Sequence, residues 1–325
     1  MFSISEYTRL FKSIAFTILV AGLTAGVAAA QAPAGAHRPA AVPAGFLITP
    51  FGYYHPSCVN HLAKGDVLRQ DENAVEHADG TSENIEKCAF PHYRADGEKV
   101  VGDEPAGTHP PDISHAWVEY ASIHDSPNYG QIYSEWGVPG NPSTNDGQTV
   151  YLFNGLEAYT DDLTIIQPVL GWNSDYSSAW GIAAWNCCYN GNVWEGTPAK
   201  TNPGDHLEGY VFNNCSAGTK KCASWDIVIV DDQNGNYSEL LDSPNNGQTF
   251  NWAFGAVLEV YNIVQCGDYP PPDYAGGIGF NNQSVLNDNF DVIASPAWKV
   301  VNLASGLTPQ CNYGGSTPKQ VVLTY

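Results

Sequence analysis

The sequence predicts an all-β protein, an antiparallel β-sandwich of the concanavalin or lectin-like kind, preceded by a signal peptide and a pro-segment. Three observations carry that expectation. From about Ala116 the chain runs in short apolar segments broken by Asn, Gly, Pro and Asp, the spacing of strands and turns. No helical period of useful length follows Ala30. Ala116–Tyr325 is also long enough for one such domain with a substantial core.

The elements follow in chain order. Arg9 and Lys12 precede the small and apolar Ile14–Ala29, and Val27-Ala28-Ala29-Ala30-Gln31 offers a cleavage site. Residues 1–30 therefore read as a signal peptide and the protein as secreted. Gly22, Thr24 and Gly26 interrupt an apolar stretch already short for a membrane anchor. Residues 31–115 read as leader and propeptide, with Gln31–Thr49 a flexible or polyproline leader. Phe51–Asp112 is charged and poor in aliphatic runs. Residues 116–325 form the sandwich, with candidate strands Tyr151–Leu156, Leu163–Leu170, Ala179–Trp185, His206–Phe212, Trp225–Val230, Ala253–Ile263 and Lys319–Leu323. Asn234-Gly235 predicts a hairpin after Trp225–Val230, because both residues tolerate positive φ.

Eight cysteines in an exported chain point to disulfides. Cys215–Cys222 would close a local loop, Cys58 reaches Cys88, and Cys266 reaches Cys311. Cys187 and Cys188 either bond to each other or shuffle among the rest. With 13 Lys and Arg against 34 Asp and Glu, the net charge is −21. Beyond Ala116 the bases are Lys200, Lys220, Lys221, Lys299 and Lys319. Such a surface excludes nucleic acid and anionic membranes as partners. It suits work in acid, where protonation relieves self-repulsion, and equally suits plain solubility.

Common hydrolase signatures are missing: there is no G-x-S-x-G, H-E-x-x-H or Asp-Thr/Ser-Gly. Asp231–Asn236 lacks the spacing and closing Glu of a calcium loop and reads as a turn. His55, Cys58 and His61 find no completing ligand downstream, so no metal or cofactor is expected. Two polar residues stand out instead. Gln167 lies among aliphatic residues in Ile165–Trp172, and Glu259 is placed the same way in Ala256–Ile263. Polar groups in apolar strands are costly unless paired. Their ordinary roles are a strand amide bonded to backbone and a carboxylate facing solvent. Together they also meet the needs of peptide hydrolysis: a carboxylate activates water and later protonates the amine, while a neutral amide stabilises the oxyanion.

Several segments in order resemble the glutamic peptidases of the eqolisin family. Trp117 precedes Glu135-Trp136-Gly137-Val138-Pro139, and Phe153-Asn154-Gly155-Leu156-Glu157-Ala158 is followed, ten residues after Glu157, by Gln167. Trp180-Gly181-Ile182-Ala183-Ala184-Trp185, then Pro203-Gly204-Asp205-His206, then Glu259 shortly before Cys266 complete the series. The resemblance covers Trp117–Cys266. It implies a secreted, acid-acting endopeptidase made as a zymogen, monomeric and acting on polypeptides. It implies Glu259 as general base and acid, Gln167 as oxyanion stabiliser, and Phe153, Glu157, Trp172, Trp180 and Trp185 at the substrate. Gln167 and Glu259 are then expected on neighbouring strands of one concave sheet, side chains on one face, sharing a water. This chain departs from the family in having Phe153 for a Trp, Ala183 or Ala184 for an acidic residue, and a pro-segment that is not net basic. The rival class is a binding module, its nine tryptophans and eighteen tyrosines forming a sugar-stacking face.

Seven of the nine histidines lie between Gln31 and His115. They gain charge as pH falls through about 6.5. Either these are scattered surface histidines of a flexible stalk, or the segment blocks the site near neutral pH, then loosens in acid and is cut near Asp112–His115.

Overall fold

The structure is a computed structural model describing residues 38–70, 73–100, 116–159, 164–273, 276–305, 307, 309–317 and 320–325. The expected signal peptide, the start of the leader and the cleavage segment lie outside the described residues. The N-terminal part supplies β1 (Leu47–Thr49), β2 (Gly52–Tyr54), β3 (Val59–Leu62), β4 (Val67–Arg69), β5 (Ala74–Glu76), β6 (Ser82–Asn84), β7 (His92–Tyr93) and β8 (Lys99–Val100). Then come β9 (Trp117–Ile123), β10 (Tyr129–Gly137), β11 (Thr149–Glu157), β12 (Ile165–Trp172), β13 (Trp180–Tyr189), β14 (Asn192–Gly196) and β15 (Ala199–Thr201). The last are β16 (His206–Asn213), β17 (Ser224–Asp231), β18 (Asn236–Pro244), β19 (Trp252–Tyr261), β20 (Gly277–Asn287), β21 (Lys299–Asn302), β22 (Gly314–Ser316) and β23 (Val321–Thr324). No α-helix occurs among the described residues.

These strands build two large sheets and one small one. One large sheet runs β22-β23-β20-β10-β16-β17-β18-β4-β5-β6; the other runs β21-β9-β19-β11-β12-β13-β14-β3, with β15 beside β13. β1, β2, β7 and β8 make the small sheet. Burial patterns show what covers each face. In β16 and β17 buried and part-exposed residues alternate strictly, so that sheet turns one face to water. In β12 every residue is buried, and in β11 all but Glu157. Both faces of these strands are covered, which is why apolar residues fill most of their positions on both faces.

One cover is the other large sheet: Trp136, Leu207, Ile229 and Phe280 pack against Val150, Leu152, Leu170 and Ile182. The second cover is the N-terminal module. Val42, Phe46, Tyr53, Tyr54 and Tyr93 pack onto Tyr151, Phe153, Val169, Trp185 and Val257. The expected flexible leader is thus corrected from Arg38 onward, since Val42 and Phe46 are buried there. The module also closes both large sheets, β3 pairing in parallel with β14 and β4 with β18.

The disulfides are Cys58–Cys88, Cys187–Cys188, Cys215–Cys222 and Cys266–Cys311. All eight cysteines are used, and none of the bonds ties the module to residues 116–325. The expected hairpin is present, but its loop is the four residues Asp232–Gly235, because Asp231 pairs with Asn236. Gly235 takes the positive φ, +69°. The Asp231 Oδ1 accepts from the Gln233 and Asn234 amides, so this carboxylate caps a turn.

Candidate active site

Strand parity assigns each side chain to a face. On β11, Tyr151 and Phe153 point to the module, whereas Val150 and Leu152 point into the sandwich. Gly155 shares the parity of Phe153, and a Cβ on it would stand 3.1 Å from the Cβ of Gln167. Gln167 therefore projects from the module-covered face, opposite Gly155 on one side and Trp185 on the other. Its side chain is fully buried, yet neither Oε1 nor Nε2 has a hydrogen-bond partner. A buried amide with both ends unsatisfied costs about 1–3 kcal/mol per lost partner. Most buried polar groups avoid this.

Glu259 projects from the same face, opposite Tyr151 on β11 and Trp117 on β9. It too is fully buried. Tyr261 donates its hydroxyl to Glu259 Oε1 at 2.7 Å, and Trp117 also hydrogen-bonds the carboxylate. Burial pushes this carboxyl well above the usual carboxylate range, while the bonds from Tyr261 and Trp117 pull it back.

The expected neighbouring strands are corrected by the topology. β11 stands between β19 and β12. Glu259 aligns with Tyr151, and Gln167 with Gly155, four residues further along. The offset is about 10 Å across and about 13 Å along the sheet. The buried Phe153 lies between them, so the two residues share a face but not a water.

Two other carboxyls lie closer. Glu157 occupies the diagonal on the adjacent strand, paired with Ile165 and Trp252. Such diagonals separate Cα atoms by about 7–8 Å, within reach of one bridging water. Glu195 lies on the far side of Trp185, in the row Gln167, Trp185, Glu195, His61 that crosses β12, β13, β14 and β3. Trp172 and Trp180, expected at the substrate, are corrected: they pack in the sandwich interior, their rings 5.5 Å apart. Trp172 is five residues from Gln167, an odd interval that sends it to the opposite face. Phe153 and Trp185 do line the same face as Gln167.

The module meets this face with the tight β1–β2 hairpin, in which Thr49 pairs with Gly52. Tyr151 donates its hydroxyl to the Ile48 carbonyl at 3.2 Å. Phe51 meets the Trp185 ring edge-on at 5.9 Å, and Tyr53 meets Tyr261 at 5.5 Å. The hairpin tip at Phe51 thus lies by Trp185 on the Gln167 side, and its two arms meet Tyr151 and Tyr261 on the Glu259 side. The metal group considered in the sequence is dispersed: Cys58 is disulfide-bonded, His55 stacks on Phe90, and His61 pairs with Glu195.

No protein-family model matches the chain, and no curated protein matches it. Solved structures do. A crystal structure of scytalido-glutamic peptidase with a peptide-based transition-state analogue is 14% identical, covers 65% of this chain and 98% of its own, and has a TM-score of 0.45. A second, with a transition-state analogue inhibitor, gives 14% identity, the same coverage and a TM-score of 0.47. SCP-B, a member of the eqolisin family of peptidases in a complex with the tripeptide Ala-Ile-His, gives 15% identity, the same coverage and a TM-score of 0.44. Likeness at this level concerns fold and carries no functional argument.

Proposed function

We propose that the chain is the latent form of an acid-acting endopeptidase whose site is the module-covered face around Gln167. One observation carries the reading: Gln167 holds a fully buried amide with no partner at either end, on the face that the N-terminal module covers. A protein gains no stability from such an amide, whereas a hydrolytic site needs a neutral donor there. The segmental resemblance to glutamic peptidases supports the same chemistry.

In this reading the scissile carbonyl lies over Gly155, where the missing side chain leaves room beside Gln167. Glu157 holds the attacking water and takes its proton as the C–O bond forms. Gln167 Nε2 donates to the oxyanion. Glu157 then returns the proton to the leaving nitrogen as the C–N bond breaks. The base role expected for Glu259 passes to Glu157 on distance, and Glu259 becomes a buried group held by Tyr261 and Trp117. The module is the propeptide, removable because no disulfide retains it.

The experiment is turnover of a denatured protein at acid pH by processed wild type, Gln167→Ala, Glu157→Gln and Glu259→Gln. Losses of about 100-fold or more are expected for the first two variants. Near-native activity in either of them contradicts these roles. A comparable loss in Glu259→Gln, with Glu157→Gln active, returns the base to Glu259.

A further inference from the structure

Glu195 is only 1% exposed, and it sits on β14 in the same row as Gln167. Its Oε2 lies 2.8 Å from His61 Nδ1, and its Oε1 has no hydrogen-bond partner. The carboxyl of Asp175 lies beside it, and burial plus that neighbour push Glu195 well above the usual carboxylate range. Asp175 is raised as well, by burial, opposed first by its hydrogen bond with Glu195 and then by Ser174 and His61. Among the described residues no Lys or Arg forms an ion pair with either group. The one basic side chain that meets Glu195 comes from the module. Kept protonated by burial, the two acids hydrogen-bond each other, and they take up a cation only by giving up a proton.

The way His61 arrives matters equally. Val59–Leu62 adds to the edge of β14 as a parallel strand, with Glu195 opposite His61. Strand addition to an open edge is a general mode of peptide capture, in which the backbone supplies affinity and side-chain pockets supply selectivity. Once the module leaves, the β14 edge and the acid pair are uncovered together.

We infer that Asp175 and Glu195 form a recognition pocket for one cationic side chain of a polypeptide laid along β14, with His61 as its built-in occupant. The inference rests on the module being removable, as in the function proposed above, and it names the substrate class: extended chains carrying His, Lys or Arg. The pocket stands two strands from Gln167, about 10 Å away. The cation would therefore fall a few residues from the bond attacked.

The test reads binding rather than turnover, so it stands apart from whether the protein hydrolyses anything. The full chain carrying His61→Ala, with a specific protease site introduced between residues 101 and 115, is nicked to weaken the module's hold. Fluorescent peptides copying residues 56–66, with Cys58→Ser, carry His, Lys or Ala at position 61, and anisotropy measures their affinity at neutral pH. The His and Lys peptides are expected to bind at least tenfold more tightly than the Ala peptide. Glu195→Gln and Asp175→Asn in the protein should erase that preference while leaving the Ala peptide unaffected. Equal binding of all three peptides, no binding of any, or a preference that survives both substitutions overturns the proposal. The peptide comparison needs no substitution in the pocket, so a poorly folding Glu195→Gln variant leaves it decisive.

Discussion

Gln167 faces Gly155 across β11 and β12, and a methyl group on Gly155 would come within 3.1 Å of the Gln167 Cβ. The glycine keeps a side chain off a buried amide that has no partner at either end. This relationship makes a prediction about stability as well as activity. Gln167→Leu removes two unsatisfied polar atoms at similar volume and should raise stability by about 1–3 kcal/mol in denaturant unfolding. Turnover should vanish in the same variant. Such a trade between stability and function marks a working site. A destabilised Gln167→Leu protein would mean that the amide has a structural partner after all.

The buried carboxyls set a pH dependence of stability. Glu119 is pushed up to about 9 from an ordinary value of 4.5 by burial, with backbone bonds opposing. Burial raises Glu195, Glu259 and Asp175 as well. Each keeps its proton in the folded state after the unfolded chain has released it. Folding therefore loses support as pH rises above about 4.5, through to the folded values. On the acid side, Glu135 is lowered: burial opposes, but bonds from Tyr133, Asn282 and His206 prevail. Its contribution fades as pH falls below the ordinary carboxylate value. Melting temperature should thus peak in mild acid and fall toward neutral and alkaline pH. Glu119→Gln should flatten the alkaline limb, and a maximum near pH 8 would contradict the assignment.

Docking of the module depends on a few aromatic contacts. Tyr53 is 1% exposed, stacks edge-on against Tyr261 and bonds Asn262 Oδ1 at 3.2 Å. Tyr53→Ala should cost about 3–5 kcal/mol, most of it in the module's attachment. Hydrogen exchange should show residues 38–100 losing protection while β11 and β12 keep theirs. Uniform loss across both would mean that module and sandwich unfold as one body.

Cys58–Cys88 closes a loop with a sequence separation of 30 residues, entirely within the module. Replacing both cysteines by Ser should cost about 3–4 kcal/mol. Limited proteolysis should then cut the module first. Early cleavage in residues 116–325 would count against a separate module.

The sandwich was legible where strands carry their own signal. β11 and β12 are mostly apolar because two layers cover them, and β16 and β17 alternate because one face meets water. β3 and β4 carry no such signal. They are short and partly charged, and they exist as strands by pairing with the edges of β14 and β18, which local sequence does not announce. Gln167 was legible because an amide among aliphatic residues is conspicuous. Glu259 gave the same signal for a different reason, being a buried carboxyl with partners in Tyr261 and Trp117. The resemblance put Glu157 at the substrate, but only the pairing register shows that it lies diagonal to Gln167. Parity alone could have removed Trp172, five residues along the same strand. The histidine-rich segment was visible, but its contacts differ: His61 reaches Glu195, while His77 pairs inside the module with Asp66 at 3.0 Å.

Proteolysis before and after release of the module tests the central claim most directly. The full chain would be nicked between residues 101 and 115 at an introduced site, brought to acid pH and given a denatured protein. The intact chain should leave that protein whole, the nicked chain should fragment it, and nicked Gln167→Ala should not. Equal fragmentation by intact and nicked chains, or full activity in nicked Gln167→Ala, would contradict a covered site built on Gln167.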